Sequence, residues 1–210
     1  LLLVGLGNPG PKDVNNRHNI GFKIIDALNS HFKLSKQKPK FKGLLTTGII
    51  SEHKVYAIKP LTFMNNSGTA IKELIDYFKI DAKDVIVFHD DLDIDFGKIK
   101  AKFGGGSAGH HGIESIDKFI GKDYSRVRIG IGDPKSKKKV NNHVLEDFKE
   151  DEEDQIKEIA ENIVKLINGM SASRRKYEVL SITIQPASAA LGANSAETLP
   201  PAEKSAISTL

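Results

Sequence analysis

Residues 5–19, GLGNPGPKDVNNRHN, put an asparagine (Asn8) and a histidine (His18) on either side of a glycine- and proline-punctuated turn. An imidazole titrates near neutrality, so a histidine held beside a sheet edge can move protons in a reaction. Residues 89–93, HDDLD, add carboxylates, and 104–112, GGGSAGHHG, add two more histidines to a stretch with five glycines in nine positions. Such a loop at a helix start suits a mobile lid or the close approach of an anionic group. Cations follow the period of a strand. Lys98, Lys100 and Lys102 alternate with Ile99, Ala101 and Phe103, and Arg126 and Arg128 alternate through SRVRIGIG, which predicts strands with one cationic face able to attract phosphate.

Those side chains need elements to hold them. Leu1-Leu2-Leu3-Val4 is an apolar run without alternation, the mark of a strand buried on both faces, and Gly5, Gly7, Pro9 and Gly10 end it. Helical spacing begins at Ile20, Ile24, Ile25, Leu28 and Phe32, so Arg17, His18 and Asn19 fall at that helix's N-terminus. Residues 84–89, DVIVFH, form a second buried strand that empties into Asp90 and Asp91; in open α/β sheets such carboxyl ends gather ligands. Residues 44–51 and 54–59 read as a hairpin around Glu52-His53, and 31–42, with five lysines and Pro39, as a surface connection rather than a strand. Phe63, Met64 and two asparagines precede a helix bearing Ile71, Leu74, Ile75 and Phe78, with Asn66 or Ser67 as its cap. Pro134 to Lys139 is a basic turn. The acidic run 146–154 opens a helix that buries Ile156, Ile159, Ile163, Leu166 and Ile167, and its charge fits a structural role at the helix dipole.

The chain has 210 residues, 39% of them hydrophobic, which predicts one domain over 1–180. Residues 181–210 read as a disordered tail or an artificial extension: seven are alanine and only Glu197, Glu203 and Lys204 are charged. No run approaches the ~18 apolar residues of a membrane span, so no membrane partner is expected. The absence of cysteine removes disulfides and thiolate catalysis and suits a cytoplasmic protein. A net charge of +4 admits a polyanionic partner only where the surplus is clustered.

Three other chemistries match poorly. Gly5-x-Gly7-x-x-Gly10 has the form of a dinucleotide fingerprint, but no helix opens on the glycines, and Asp26 lies within a helical pattern rather than at a strand end. The acidic run from Asp91 lacks the glycine of a calcium loop and has Lys102 at its twelfth position. A metal phosphoesterase built from His89, Asp90, Asp91, Asp93 and His110 has the ingredients but no metal-motif spacing.

Taken together, GLGNPG with RHN at 5–19, FMNNSG at 63–68, HDDLD at 89–93 and GGGSAGHHG at 104–112 resemble bacterial peptidyl-tRNA hydrolase over roughly residues 1–180. The resemblance implies a single-domain three-layer α/β/α sandwich around a mixed, largely parallel sheet. It also implies cleavage of the ester between peptide and tRNA, with no cofactor and no metal, by a monomer acting on the tRNA acceptor end. By the same resemblance His18 is the general base and Asp90 orients it; Asn8 and Asn65 hold the ester end and the attacked carbonyl, and Met64 lines the site. His111 takes a water- and substrate-binding position where the family usually carries asparagine, and Asp13 stands where it usually carries tyrosine. Lys100, Lys102 and Arg128 match positions that grip tRNA phosphates. The other function this fold offers is that of a catalytically silent RNA-binding module, against which the retention of His18, Asp90, Asn8 and Asn65 argues.

Overall fold

Every residue of β1 (Leu2–Gly5) is buried, and so is every residue of β5 (Val85–Asp91), its parallel neighbour. The structure is a computed structural model that describes residues 1–135, 139–172 and 183–184. Strands β2 (Lys38–Lys40), β3 (Gly43–Ile50), β4 (His53–Pro60), β6 (Ile99–Phe103), β7 (Ser125–Gly130) and β8 (Thr183–Ile184) complete one eight-stranded sheet of order β2-β3-β4-β1-β5-β7-β6-β8. The central strands β4, β1, β5 and β7 run parallel, whereas both flanks pair antiparallel.

Alternation along the central strands makes the sandwich. Leu3, Ile86 and Phe88 face α1 (Ile20–His31) and α5 (Glu150–Ala172), joining Ile24, Ile25, Leu28, Ile159 and Ile163 in one core. Leu2, Val4, Val85 and Val87 face the other way, onto Ile71 and Leu74 of α2 (Ser67–Phe78) and Ile113 and Ile116 of α3 (His111–Ile120). A strand apolar at every position therefore serves two layers at once.

Several local expectations shift. Residues 38–40 do form a strand; Lys38, Pro39 and Lys40 are exposed on the sheet edge, where lysine and proline discourage pairing with another chain, so their composition reads as loop. The hairpin turns at Ser51 and Glu52, both at positive φ, and His53 begins β4. No side chain caps α2; a 3₁₀ turn at 64–66 leads into it, and the Ser67 hydroxyl donates to Met64 O instead. A short helix, α4 (Val140–Leu145), follows the basic turn, whose residues 136–138 lie outside those described. Thr183 and Ile184 pair with Lys100 and Ile99, so the sheet takes in two residues of the stretch expected to be a tail; the pattern Ser-Ile-Thr-Ile is strand-like where the surrounding composition is not. Residues 185–210 lie outside the described residues.

The first turn of α1 lies close against the carboxyl ends of β1 and β5. A Cβ on Gly21 would press on Leu6 N and lie 2.5 Å from Phe88 O, so only glycine lets α1 settle onto the sheet. Gly21→Ala should cost about 2 kcal/mol or more, read as a lower urea midpoint. A midpoint equal to that of the wild type would show that α1 can lift without penalty.

Candidate active site

Three elements converge at the carboxyl ends of the parallel strands. Asp90, in β5, is 1% exposed. His18 sits in a 3₁₀ turn (Arg17–Asn19) just before α1 and brings Nδ1 to 2.8 and 2.9 Å from the two Asp90 oxygens. His110, the residue before α3, places Nε2 3.0 Å from Asp90 Oδ1. Its Nδ1 accepts the N–H groups of Gly112 and Ile113 at 3.1 and 3.3 Å, which leaves the ring proton on Nε2 to donate to Asp90. By the same logic His18 donates through Nδ1 and keeps its Nε2 lone pair as a base. Both rings line a cavity of about 410 Å³ that is also walled by Leu92, Asn141 and Val144.

The electrostatics follow from that arrangement. Burial alone would raise the Asp90 carboxyl, but the charges and hydrogen bonds of His18 and His110 hold it well below the usual carboxylate range. Burial would lower His18; the Asp90 charge and hydrogen bond, with the Asp13 charge, outweigh it and raise the imidazole above its ordinary value. His89 behaves oppositely. Fully buried and near His110, it is pushed down to about 3; its Nδ1 donates to Asp90 O at 2.7 Å, and its Nε2 has no partner among the described residues.

Of the other predicted site residues, His111 lines this cavity, and Asn8, Met64, Asn65, Lys100, Lys102 and Arg128 are not among the described residues that line it. Asn19 accepts from Asn8 N–H at 2.7 Å and donates to Asn8 O at 3.0 Å, while Asn8 Oδ1 accepts the Met64 N–H at 3.0 Å. Asn8 thus ties the first loop to the 64–66 turn, on which Met64 is buried and Asn65 exposed. His111 lies at the cavity rim, 70% exposed, with Nδ1 3.2 Å from Glu114 Oε2. Lys100 pairs across the strands with Arg128, and Lys102 with Arg126, so all four stand on one face. Arg128 reaches Asp91 at 2.6 Å, and Lys100 and Lys102 are exposed. Arg126 is not available to a phosphate: it is 2% exposed, bonded to Asp117 and to the Gly105 and Gly106 carbonyls. The glycine-rich loop is therefore tied to β7 through its Gly105 and Gly106 carbonyls.

The five ligands of the metal reading are not brought together, since Asp91 holds Arg128 and accepts the Asp93 N–H. Among the described residues, His18, Asp90 and His110 do place ligand atoms within 4.8 Å of one another, a donor set that suits a zinc-type ion. Those same atoms hydrogen-bond one another. Sequence reasoning missed His110's role at Asp90; its signal was a helix-capping position directly after the glycines, shared by two adjacent histidines.

Fold and site define a three-layer α/β/α protein with a buried carboxylate bonded to two histidines at the carboxyl ends of its parallel strands. The family model for peptidyl-tRNA hydrolase matches residues 2–185, and the chain belongs to that family. It is 75% identical over 164 residues to the peptidyl-tRNA hydrolase of Pelagibacter ubique, covering 78% of this chain and 88% of that protein. Identity to the Bartonella henselae enzyme is 48% over 172 residues, covering 80% and 89%. The crystal structure of peptidyl-tRNA hydrolase from Acinetobacter baumannii superposes with a TM-score of 0.78 at 34% identity, covering 89% of this chain and 96% of that one.

His89 sets a pH dependence of stability. Its folded pKa lies near 3 and its unfolded value near ~6.5. The unfolded chain therefore takes up a proton that the fold refuses, and stability that is complete above the unfolded value declines as pH falls toward the folded one. The unfolding free energy obtained from urea titrations should drop between about pH 6 and 5 with a slope approaching about 1.4 kcal/mol per unit, and His89→Gln should flatten that slope. Identical slopes in the two proteins would mean that the ring takes its proton inside the fold.

Proposed function

We propose that this chain hydrolyses the ester joining a peptide to the 3′-terminal ribose of tRNA, with His18 as general base and Asp90 as the group that orients it. Membership in the peptidyl-tRNA hydrolase family supports the reaction. The observation that carries the mechanism is His18 Nδ1 bonded to both oxygens of a buried, charged Asp90. His18 Nε2 takes a proton from water as the oxygen attacks the ester carbonyl. The tetrahedral intermediate then breaks its bond to the ribose oxygen, which receives the proton, and free peptide and tRNA leave. Asp90 stabilises the imidazolium in between. Asn8 and Asn65 supply amides to the ester end and the carbonyl, Met64 lines the site, and His111 at the rim contacts water or substrate. Lys100, Lys102 and Arg128 grip tRNA phosphates. The enzyme works as a monomer in the cytoplasm, where its substrate is made, and among the described residues no helix is long and apolar enough to cross a membrane.

His18→Ala should lower kcat for peptidyl-tRNA by about 10²-fold or more and leave KM nearly unchanged. Since the base must be neutral and its pKa is raised, kcat/KM should fall as pH drops through a midpoint above ~6.5. Normal turnover in the alanine variant would remove this mechanism. Lys100→Ala with Lys102→Ala should raise KM and reduce the dependence of its logarithm on log salt by about one to two, because fewer counterions are released. An unchanged salt slope would discard that face as the phosphate contact.

A further inference from the structure

Arg17 immediately precedes His18, is 4% exposed, and takes no part in the reaction as drawn. Its Nη2 donates to both oxygens of Glu152, at 3.0 and 2.7 Å, across 135 residues of sequence. The guanidinium carbon lies 5.1 Å from the Phe148 ring centre and 5.9 Å from that of Phe96. Among the described residues its Nε and Nη1 have no hydrogen-bond partner, so the charge is directed at Glu152. Glu152 is itself fixed by the Lys149 N–H at 2.8 Å, and Arg17's hydrogen bond and charge help keep its carboxyl low against the effect of burial.

The backbone repeats the connection. Arg17 N–H donates to Glu146 O at 2.9 Å, Phe148 N–H donates to Asn15 O at 3.2 Å, and Asn16 bridges Asp147. Residues 146–152 thus form a strap over the turn that carries His18. Lys23, in the first turns of α1, adds a link to Glu153 at 2.9 Å. A largely buried ion pair adds little net stability, because desolvation offsets its attraction; what this one supplies is direction, since Nη2 is bonded to both Glu152 oxygens. The position at which such precision counts is the next residue. His18 must meet Asp90 with Nδ1 while its other nitrogen stays aimed at the substrate, and a misplacement of about 1 Å at such a centre costs on the order of 10²-fold in rate.

We propose that Arg17 is a positioning residue: its ion pair with Glu152 locks the 17–19 turn to the start of α5 and so sets the angle at which His18 meets Asp90. This rests on the reading of His18 as general base. The charged and titratable groups facing His18 are Asp90 from β5, His110 from the start of α3 and Asp13 from its own loop, and the Arg17 guanidinium is bonded to none of them.

The test combines steady-state kinetics on peptidyl-tRNA with an NMR titration of the His18 ring in Arg17→Met, Arg17→Lys and Glu152→Gln. Arg17→Met should lower kcat by about 10- to 100-fold with KM within about twofold. The His18 midpoint should also fall toward its ordinary value as the hold of Asp90 loosens, and Arg17→Lys should recover part of both. If Arg17→Met does not fold, Glu152→Gln, which leaves Arg17 and its ring contacts in place, is read in the same way. A lower Tm with wild-type kcat and an unmoved His18 midpoint would overturn the proposal, since a purely structural pair gives that result. A shifted midpoint with unchanged kcat would uphold the positioning and instead reject His18 as the base.

Discussion

The site depends on one buried carboxylate that stays charged. Asp90 has almost no access to water, and an isolated charge there would cost several kcal/mol. Two imidazole N–H groups, from His18 and His110, replace the lost hydration. Their proton positions are not independent. The start of α3 presents two N–H groups to His110 Nδ1, which forces its proton onto Nε2 and so toward Asp90. Asp90 in turn draws the His18 proton onto Nδ1, leaving the opposite nitrogen basic. A helix start thereby fixes, through one carboxylate, which nitrogen of a second ring can take a proton.

That arrangement needs all three layers. His18 arrives with α1 from one face of the sheet, His110 with α3 from the other, and Asp90 lies in β5 between them. The helices can meet at the sheet's edge because glycines at the contacts, Gly21 under β1 and Gly112 against Met64 and Leu6, let the elements approach closely. The loops are secured from a distance. Asn8 joins the first loop to the 64–66 turn, Arg126 ties the glycine-rich loop to β7, and Arg17 binds the His18 turn to α5. Side chains that resemble surface charge in the sequence are thus used to restrain the loops around Asp90.

Much of the framework was legible in residue order. β1 and β5 announced themselves as unbroken apolar runs, and the spacing from Ile20 onward put His18 at a helix start. The strict alternation of Lys100, Lys102, Arg126 and Arg128 foretold a common face, which the register of β6 on β7 bears out. Local composition misled where the cause lay elsewhere in the chain. Lys38 and Lys40 flank Pro39 in a strand because they occupy an edge, and Thr183 and Ile184 join the sheet because β6 offers them one. Glu152 and Glu153 were explained by the helix dipole, yet they also reach Arg17 and Lys23.

By itself, the sequence determined the kinds of groups available and the ends of the elements that carry them, because period and punctuation act over a few residues. Only the tertiary structure decided which groups would be buried together. His110 and His111 are neighbours of one type, but His110 is the extended residue that caps α3, with Nδ1 turned onto the Gly112 and Ile113 N–H groups and Nε2 on Asp90, while His111, the first helical residue, stays in solvent with Glu114. Arg126 and Arg128 share a strand face, but Asp117 and two loop carbonyls take the first out of reach, whereas the second is held at the site by Asp91. The carboxylates that decide the fates of His110, Arg126 and Arg128 lie 20, 9 and 37 residues away in the chain. Each contact must offset the desolvation of both its partners, and no local pattern records that requirement.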